Sequence, residues 1–381
     1  MAKIIQRAQA GTLESSDVFV TLEPCENGLE IEIDSVVQKQ FGETIRCTVE
    51  EVLEDLKVEN AKLSIVDRGA LDCVIRARVE TAVLRERRML MRRSMLFLPG
   101  NTPNIIQNGE ILGADAVILD LEDAVAPTEK DSARILVRNA IKYMGFGKCE
   151  VIVRINAIDT DFWTKDLDAI IPVKPSLIMP PKTSCADDVK QVDAYIAMLE
   201  EKLGMESGSV GLIPLIETAL GVENAFLIAS ASKRVKAIFL GGEDLTADLR
   251  CKRTKEGHEI SYARSRMVCA ARAAGVDVYD TPFTDVNDDE GIYTDAQYAK
   301  SFGFTGKSAI SPRHVKAINE VFSPSMKDID YAYEVMEAIR TGKEQGKGAV
   351  ALRGKMIDAP IVARARQTIE MAIELGLGRE A

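Results

Sequence analysis

The sequence predicts an α/β chain: a (β/α)8 barrel with a small α+β unit before it and a helical extension, a potential lid, behind it. Three observations carry this. From Ser94 onward, short apolar runs alternate with longer amphipathic stretches, at the spacing of roughly 25–35 residues that a βα unit requires. Eight such runs occur within about 250 residues, the usual length of a barrel. The first run leads into Pro99-Gly-Asn-Thr-Pro103, whereas a doubly wound open sheet would usually show a glycine fingerprint there. The expected division is 1–84, a connector 85–93, the barrel 94–325 and the extension 326–381.

In the first unit, Val18–Leu22, Leu29–Ile33 and Lys62–Val66 have the alternation or apolar character of strands. Gly42–Leu56 places Ile45, Val49, Val52 and Leu53 on one helical side, and Ala70–Leu84 reads as a second helix. The connector holds Arg85, Arg87, Arg88, Arg92 and Arg93. It reads as a solvated basic helix end, or else as a guide for an acidic partner.

The eight barrel runs are Met95–Leu98, Ala116–Leu121, Val151–Ile155, Leu177–Met179, Val210–Leu215, Val235–Leu240, Val276–Tyr279 and Lys307–Ile310. Between them lie helix-like stretches such as Lys130–Met144, Ala186–Leu203, Gly221–Ala229, Ser261–Ala274 and Asp288–Phe302. Past Pro312 a helix is expected over about Met326–Arg340. Thr341–Lys355, with four glycines, reads as a mobile flap, and a last helix runs to about Leu375. Asp358 and Pro360 suit the opening of that helix, so Asp358 is either a cap or a functional acid.

Composition narrows the function. The chain has 381 residues, 46% apolar and 28% charged, as an ordinary globular protein does. A net charge of −11 argues against a dedicated nucleic-acid binder but leaves room for an anionic substrate. No apolar core follows Met1 and no run is long enough for a bilayer, so no signal peptide and no membrane partner are expected. Seven scattered cysteines without a C-x-x-C pair suit reduced thiols, and the expected compartment is cytoplasmic. With two histidines in the chain, any metal is expected to be held by oxygen: Mg2+, Mn2+ or Ca2+.

Residues just past the apolar runs of a barrel face its active site. They are Asp120, Glu122 and Asp123 after the second run, Arg154 and Asn156 after the third, and Lys182 after the fourth. Glu217 and Thr218 follow the fifth, and Glu243 and Asp244 the sixth. Carboxylates gathered on one rim repel each other and call for a cation. Glu217 and Asp244 stand one unit apart, on strands spaced about 4.8 Å, which suits a shared Mg2+. Asp120, Glu122 and Asp123 would hold its waters. The alternative for Glu243 and Asp244 is that they open the next helix, where acids suit the dipole. Arg154 suits a substrate carboxylate, or else pairs with Asp120. Lys182 offers a Schiff base or electrostatic help, and beside a metal the latter fits better. An oxygen-bound metal beside an arginine describes a site for a keto or hydroxy acid, with carbon–carbon cleavage or formation next to a carbonyl.

Residues 93–380 resemble the citrate lyase β chain (citryl lyase), within the malyl-CoA-lyase-like Mg2+ barrels. The motifs are Arg93-Ser-Met-Leu-Phe-Leu-Pro-Gly100, Leu119-Asp-Leu-Glu-Asp-Ala-Val125, Val153-Arg-Ile-Asn156, Pro214-Leu-Ile-Glu-Thr218 and Gly241-Gly-Glu-Asp-Leu-Thr-Ala-Asp248. Residues 1 to about 88 resemble the citrate lyase γ chain, an acyl carrier, through Ala10-Gly-Thr-Leu-Glu-Ser15, Lys39-Gln-Phe-Gly42 and Gly69-Ala-Leu-Asp-Cys73. The resemblance implies a phosphoribosyl-dephospho-CoA arm on Ser15, Mg2+ on Glu217 and Asp244, and oxaloacetate on Arg154. It also implies a role for Glu243 confined to its backbone N–H toward the keto acid, and an acid/base Asp358 donated from a neighbouring subunit's lid. The implied partners are a citrate lyase α chain acting as acyl transferase and further copies of this chain in a trimer or larger homo-oligomer. The implied reaction cleaves a citryl thioester to oxaloacetate and an acetyl thioester. A lyase for free CoA thioesters such as malyl-CoA, or a non-catalytic carrier and scaffold, are the alternatives.

Overall fold

The computed structural model describes residues 2–4, 8–25, 28–56, 58–86, 91–147, 149–344 and 350–378. The chain divides into two compact units, Met1–Leu90 and Met91–Ala381.

The first unit runs β1 (Ala2–Lys3), β2 (Ala8–Ala10), β3 (Val18–Glu23), β4 (Leu29–Ser35), α1 (Gln38–Asp55), β5 (Val58–Asp67) and α2 (Asp72–Glu86). β5 is central: it pairs antiparallel with β3 and parallel with β4 and β1, and β2 joins β3. α1 buries Ile45, Val49, Val52 and Leu53 on the sheet, as the helical spacing predicts. At one end of the sheet buried Asp67 ties two loops together. It accepts from Ser35 Oγ at 2.6 Å, Ala70 N at 2.8 Å and Gly69 N at 3.1 Å. A Cβ on Gly11 (φ 89°) would stand 1.8 Å from the Val18 carbonyl oxygen, so only glycine fits where the loop toward Ser15 begins.

The second unit is built on β6 (Ser94–Pro99), α3 (Pro103–Ile106), β7 (Ala116–Asp120), α4 (Lys130–Tyr143), β8 (Glu150–Arg154), α5 (Trp163–Ile170), β9 (Leu177–Met179) and α6 (Ala186–Leu203). Next come β10 (Gly211–Leu212), β11 (Leu215–Ile216), α7 (Ala219–Glu223), α8 (Ala225–Ala229), β12 (Ala237–Leu240), α9 (Gly242–Asp248), α10 (Ser261–Ala274), β13 (Asp277–Asp280), α11 (Asp289–Phe302), β14 (Gly306–Ala309) and α12 (Pro312–Phe322). Its nine strands form one curled, all-parallel sheet in the order β10-β9-β8-β7-β6-β14-β13-β12-β11. The two end strands are halves of one segment, split at Ile213-Pro214 because proline cannot donate to a ladder. Ile213 N–H donates to Ile178 O on one side, and Phe239 N–H donates to Pro214 O on the other.

Alternation along the strands sorts two cores. Met95, Ala116, Ile118, Ile152, Leu215, Phe239 and Tyr279 share the inner cluster, while Val117, Leu119, Val153, Ile216, Leu240 and Val278 pack outward against the helices.

Three expectations are corrected. Arg92 and Arg93 are not a solvated helix end. Arg92 is buried on Glu150 (2.5 and 3.0 Å), and Arg93 grips Asp115 (2.7 and 2.8 Å), anchoring the start of β6. Arg87 and Arg88 lie outside the described residues. The flap is partly regular: α13 (Met326–Glu344) extends into it, and β15 (Val350–Leu352) and β16 (Lys355–Ile357) form a hairpin. Its turn is Arg353-Gly354, both with positive φ, as the twist of a two-residue hairpin demands. Gly346 and Gly348 lie outside the described residues. The stretch Gly221–Ala229 is two short helices, α7 and α8, meeting at Asn224. The last helix, α14 (Ala359–Glu374), packs with α13 and the hairpin around Val335, Ile357 and Ala365, a small core of its own. No helix among the described residues is long and apolar enough to cross a membrane.

Candidate active site

The alternation that builds the inner core also aims the site. Asp120, Arg154, Glu217, Gly241 and Thr281 lie two residues beyond Ile118, Ile152, Leu215, Phe239 and Tyr279, so they share the inward side at the carboxyl ends of the strands. Glu217 is buried and accepts the Lys182 N–H on Oε1 at 2.7 Å. Lys182 has φ 52°, a strained conformation for lysine that turns its N–H onto that carboxylate. Burial pushes the Glu217 carboxyl up to about 8, and the charge of Asp244 adds to the shift. Asp244, half-buried in the first turn of α9, makes no hydrogen bond or ion pair among the described residues.

Arg154 grips Asp120 with two bonds, Nε to Oδ1 and Nη2 to Oδ2, both 2.7 Å. Its Nη1 lies 3.1 Å from Glu122 Oε2 and 3.6 Å from Asp123, and its plane covers the Phe97 ring at 5.1 Å. Although burial alone would disfavour the charge, Asp120 and the neighbouring acids hold Arg154 firmly protonated. Lys182 Nζ pairs with Glu122 Oε1 at 2.7 Å, which raises the lysine above its ordinary value. A lysine held protonated is poor at attacking a carbonyl, so the geometry favours an electrostatic role. Glu122 itself is pushed up by burial.

Glu243 points away: it is exposed and reaches Arg253 at 3.5 Å. Asp358 caps α14, accepting the Ile361 N–H at 3.1 Å, and is exposed. Asn156 binds buried Asp166 through its backbone N–H (2.9 Å) and side chain (2.7 Å), a support for the loop after β8. Ser15 is exposed in a turn whose base is fixed by Asp17. That acid accepts from Thr12 Oγ1 at 2.9 Å and from Arg78 at 3.0 and 3.1 Å, and the guanidinium holds its carboxyl down at about 2.

The sequence reading stopped at the sixth strand and missed the seventh. Thr281 Oγ1 accepts the Gly242 N–H at 2.9 Å and fixes the glycine turn. Asp280, of opposite alternation, points outward into a buried quartet with Arg264, Lys307 and Asp295. The rule used for the other strands names Asp280 and Thr281 as well, because both directly follow Val276–Tyr279.

The residues fit a divalent cation. Two neighbouring acids repel each other, one is buried with no hydrogen bond to its Oε2 among the described residues, and a glycine leaves room beside it. Among the described residues no group of three His, Cys, Asp or Glu could hold an ion. The pair Glu217 and Asp244 suits Mg2+, which takes one or two carboxylates and fills its remaining positions with water and substrate.

A curled parallel sheet with acids and an arginine at its carboxyl rim is the arrangement of TIM-like enzymes, whose sites lie at that face. Residues 93–312 match the HpcH/HpaI aldolase/citrate lyase model, and the chain belongs to that family. Residues 5–86 match the acyl-carrier model described as malonate decarboxylase delta subunit. The citrate lyase subunit beta of Leuconostoc mesenteroides subsp. cremoris is 41% identical over 282 residues, 74% of this chain and 93% of that one. Two solved structures from Mycobacterium tuberculosis are 29% identical. Protein CitE with magnesium, acetoacetate and coenzyme A has a TM-score of 0.59, over 74% of this chain and 98% of its own. A citrate lyase beta subunit with oxaloacetate and magnesium has a TM-score of 0.52, over 62% and 100%.

Proposed function

We propose that this chain is a citryl lyase joined to its own acyl carrier, cleaving a citryl thioester to oxaloacetate and an acetyl thioester. The observation that carries the reading is the joining itself: one chain holds an acyl-carrier-like unit and a citrate-lyase-β-like unit. A lyase for free malyl-CoA has no use for the first of these. The sheet is read as a closed (β/α)8 barrel, because the segment 210–216 bonds to both of its neighbours. The working division is a carrier over 1–84, a connector over 85–93, a barrel over 94–325 and a lid over 326–381.

Glu217 and Asp244 would hold Mg2+, with Asp120, Glu122 and Asp123 in its outer shell. A bound ion supplies Lewis-acid polarisation of the substrate oxygens and offsets the two carboxylate charges. Arg154 binds the oxaloacetate portion. Asp120 fixes the fork, and a substrate carboxylate replaces Glu122 and Asp123 at Nη1. Lys182 keeps Glu122 neutralised while that happens. The tertiary hydroxyl gives its proton to Asp358 of a neighbouring copy's lid, the carbon–carbon bond breaks, and its electrons form the acetyl thioester enolate. Asp358 from a neighbouring copy's lid protonates the enolate carbon; the separate small core of that lid suits such an exchange. Glu243 contributes at most its backbone.

Ser15 carries the phosphoribosyl-dephospho-CoA arm: it is exposed on a turn that Asp17 and Arg78 hold rigid. A separate acyl-transferase α chain regenerates the citryl arm in the cytoplasm, and the assembly is a trimer or larger. The test is oxaloacetate release from citryl-CoA with and without Mg2+, with malyl-CoA as the competing substrate. Preference for malyl-CoA, or no release in Mg2+, overturns the reading.

A further inference from the structure

Asp244 takes its position from a short helix. α9 has seven residues, of which Gly242, Leu245 and Thr246 are buried. A side chain pins it at each end. At the start, the Gly242 N–H donates to Oγ1 of fully buried Thr281 at 2.9 Å. A Cβ on Gly242 would stand 2.7 Å from that same oxygen, so the turn and the threonine are in close contact. At the other end, Asp248 Oδ2 accepts the Ala219 N–H at 2.7 Å. That amide is the first of α7, and the first amides of a helix have no partner within it. Gly242 and Asp248 are six residues apart, which puts the pins about 9 Å apart along the helix axis.

The second pin reaches the loop of the other acid. Ala219 stands two residues past Glu217, and that loop is held from three further directions. The Lys182 N–H donates to Glu217 Oε1 at 2.7 Å, the Gly241 N–H to Ile216 O at 2.9 Å, and the Gly221 N–H to Thr218 Oγ1 at 3.1 Å. Asp244 and Asp248 are four residues apart, so they share one face of α9. The bond from Asp248 shows where that face looks: toward the loop that carries Glu217. Glu243 marks a different side, because it reaches Arg253 at 3.5 Å, and Arg253 is itself held by Glu259 at 2.6 Å.

We infer that Asp248 and Thr281 are positioning residues that pin the two ends of α9, so that Asp244 faces Glu217 across the glycine turn. Both act through Asp244 and not on the substrate. The inference rests on the reading of Glu217 and Asp244 as Mg2+ ligands for its consequence in catalysis, and on the two hydrogen bonds for its geometry.

The test uses the full-length protein. Asp248→Asn keeps a carbonyl oxygen that accepts the Ala219 N–H, and Asp248→Ala removes it. In calorimetry on the metal-free protein, Mg2+ binding is expected to weaken by about tenfold or more in D248A and to stay within about twofold of the parent in D248N, the scale of losing a group that orients a ligand. Thr281→Val and Thr281→Ser make the same comparison at the other end, with the loss in T281V and the rescue in T281S. kcat/KM on citryl-CoA follows the same order. Equal weakening in D248N and D248A would mean that the charge of Asp248 acts on the ion. A lower urea midpoint with unchanged Mg2+ affinity would mean that the bonds serve stability alone. Either result overturns the inference. Amide hydrogen exchange gives a readout that needs no metal. The Ala219 amide is expected to exchange slowly in the parent and in D248N and faster in D248A. The Gly242 amide is expected to do the same in T281S and T281V. Fast exchange of both amides in the parent overturns the pinning, whereas protected amides in a parent that binds no Mg2+ overturn only the metal reading.

Discussion

The Cβ that Gly241 lacks would stand 2.6 Å from both the Cβ and Oε2 of Glu217. The glycine turn after β12 and the buried acid after β11 therefore occupy one tightly fitted space. Substituting Gly241 by alanine forces the carboxylate aside. Lyase activity is expected to fall by about a hundredfold or more, since small misplacements at a reacting centre cost that much. Circular dichroism and steady-state rates on one preparation separate this from unfolding.

Glu217 titrates near 8 in the folded chain, against 4.5 for the free group. Between those values the native state holds a proton that the unfolded state has released. The stability of the metal-free protein is therefore greatest below that window and declines as pH rises through it. A cation needs the carboxylate, so its binding expels the proton. Mg2+ affinity is expected to rise by about tenfold per pH unit up to about pH 8 and then level. Calorimetry in buffers of different ionisation enthalpy counts the proton; an affinity flat across this window would remove Glu217 from the site.

Asp244→Asn takes away a charge that helps raise Glu217, at a side chain that makes no hydrogen bond or ion pair among the described residues. The fold is expected to survive while cleavage of citryl-CoA drops by about a thousandfold, the scale of losing one electrostatic group at a reacting centre. An unchanged rate in Mg2+ would sink the metal assignment.

Arg154→Lys keeps the charge and loses the fork on Asp120. The expected result is about a hundredfold loss in kcat/KM, because a point charge cannot hold Asp120 and a substrate carboxylate together. Retained activity would mean that Arg154 serves only the acid cluster.

Ser15→Ala leaves the Asp17–Arg78 base of the turn intact and removes the hydroxyl. Intact mass of the protein from cells that attach the arm is expected to show none on this variant. An arm still present would move the attachment elsewhere, Ser16 first.

Lys307→Met leaves Asp280 and Asp295 with Arg264 alone in a fully buried place. Loss of one partner there costs about 3–5 kcal/mol, readable as a shift of the urea midpoint. A variant as stable as the parent would show that the quartet is not needed to hold α10 and α11 on the sheet.

Much of the rim was legible because one rule reaches it. Strand alternation fixes which residues look inward, and Asp120, Arg154 and Glu217 follow from the apolar runs by counting. Thr281 was equally open to that count. What counting cannot give is pairing. Arg92 and Arg93 sit in a run of arginines that looks solvated, yet each finds a carboxylate more than twenty residues away in the chain. Lys307 lies within an apolar run and resembles a strand edge until Asp280 and Asp295 appear beside it.

Periodicity and short-range sterics in the sequence set the alternation of strands and helices, the parallel order and the inward side of Asp120, Arg154 and Glu217, while Glu243 and Asp280 lay beyond their reach. Tertiary contact alone clamps Arg154 on Asp120, sets Lys182 against Glu122 and presses Glu217 to the glycine turn. Those facts depend on distances between groups far apart in the chain, and on how much water burial leaves around each charge.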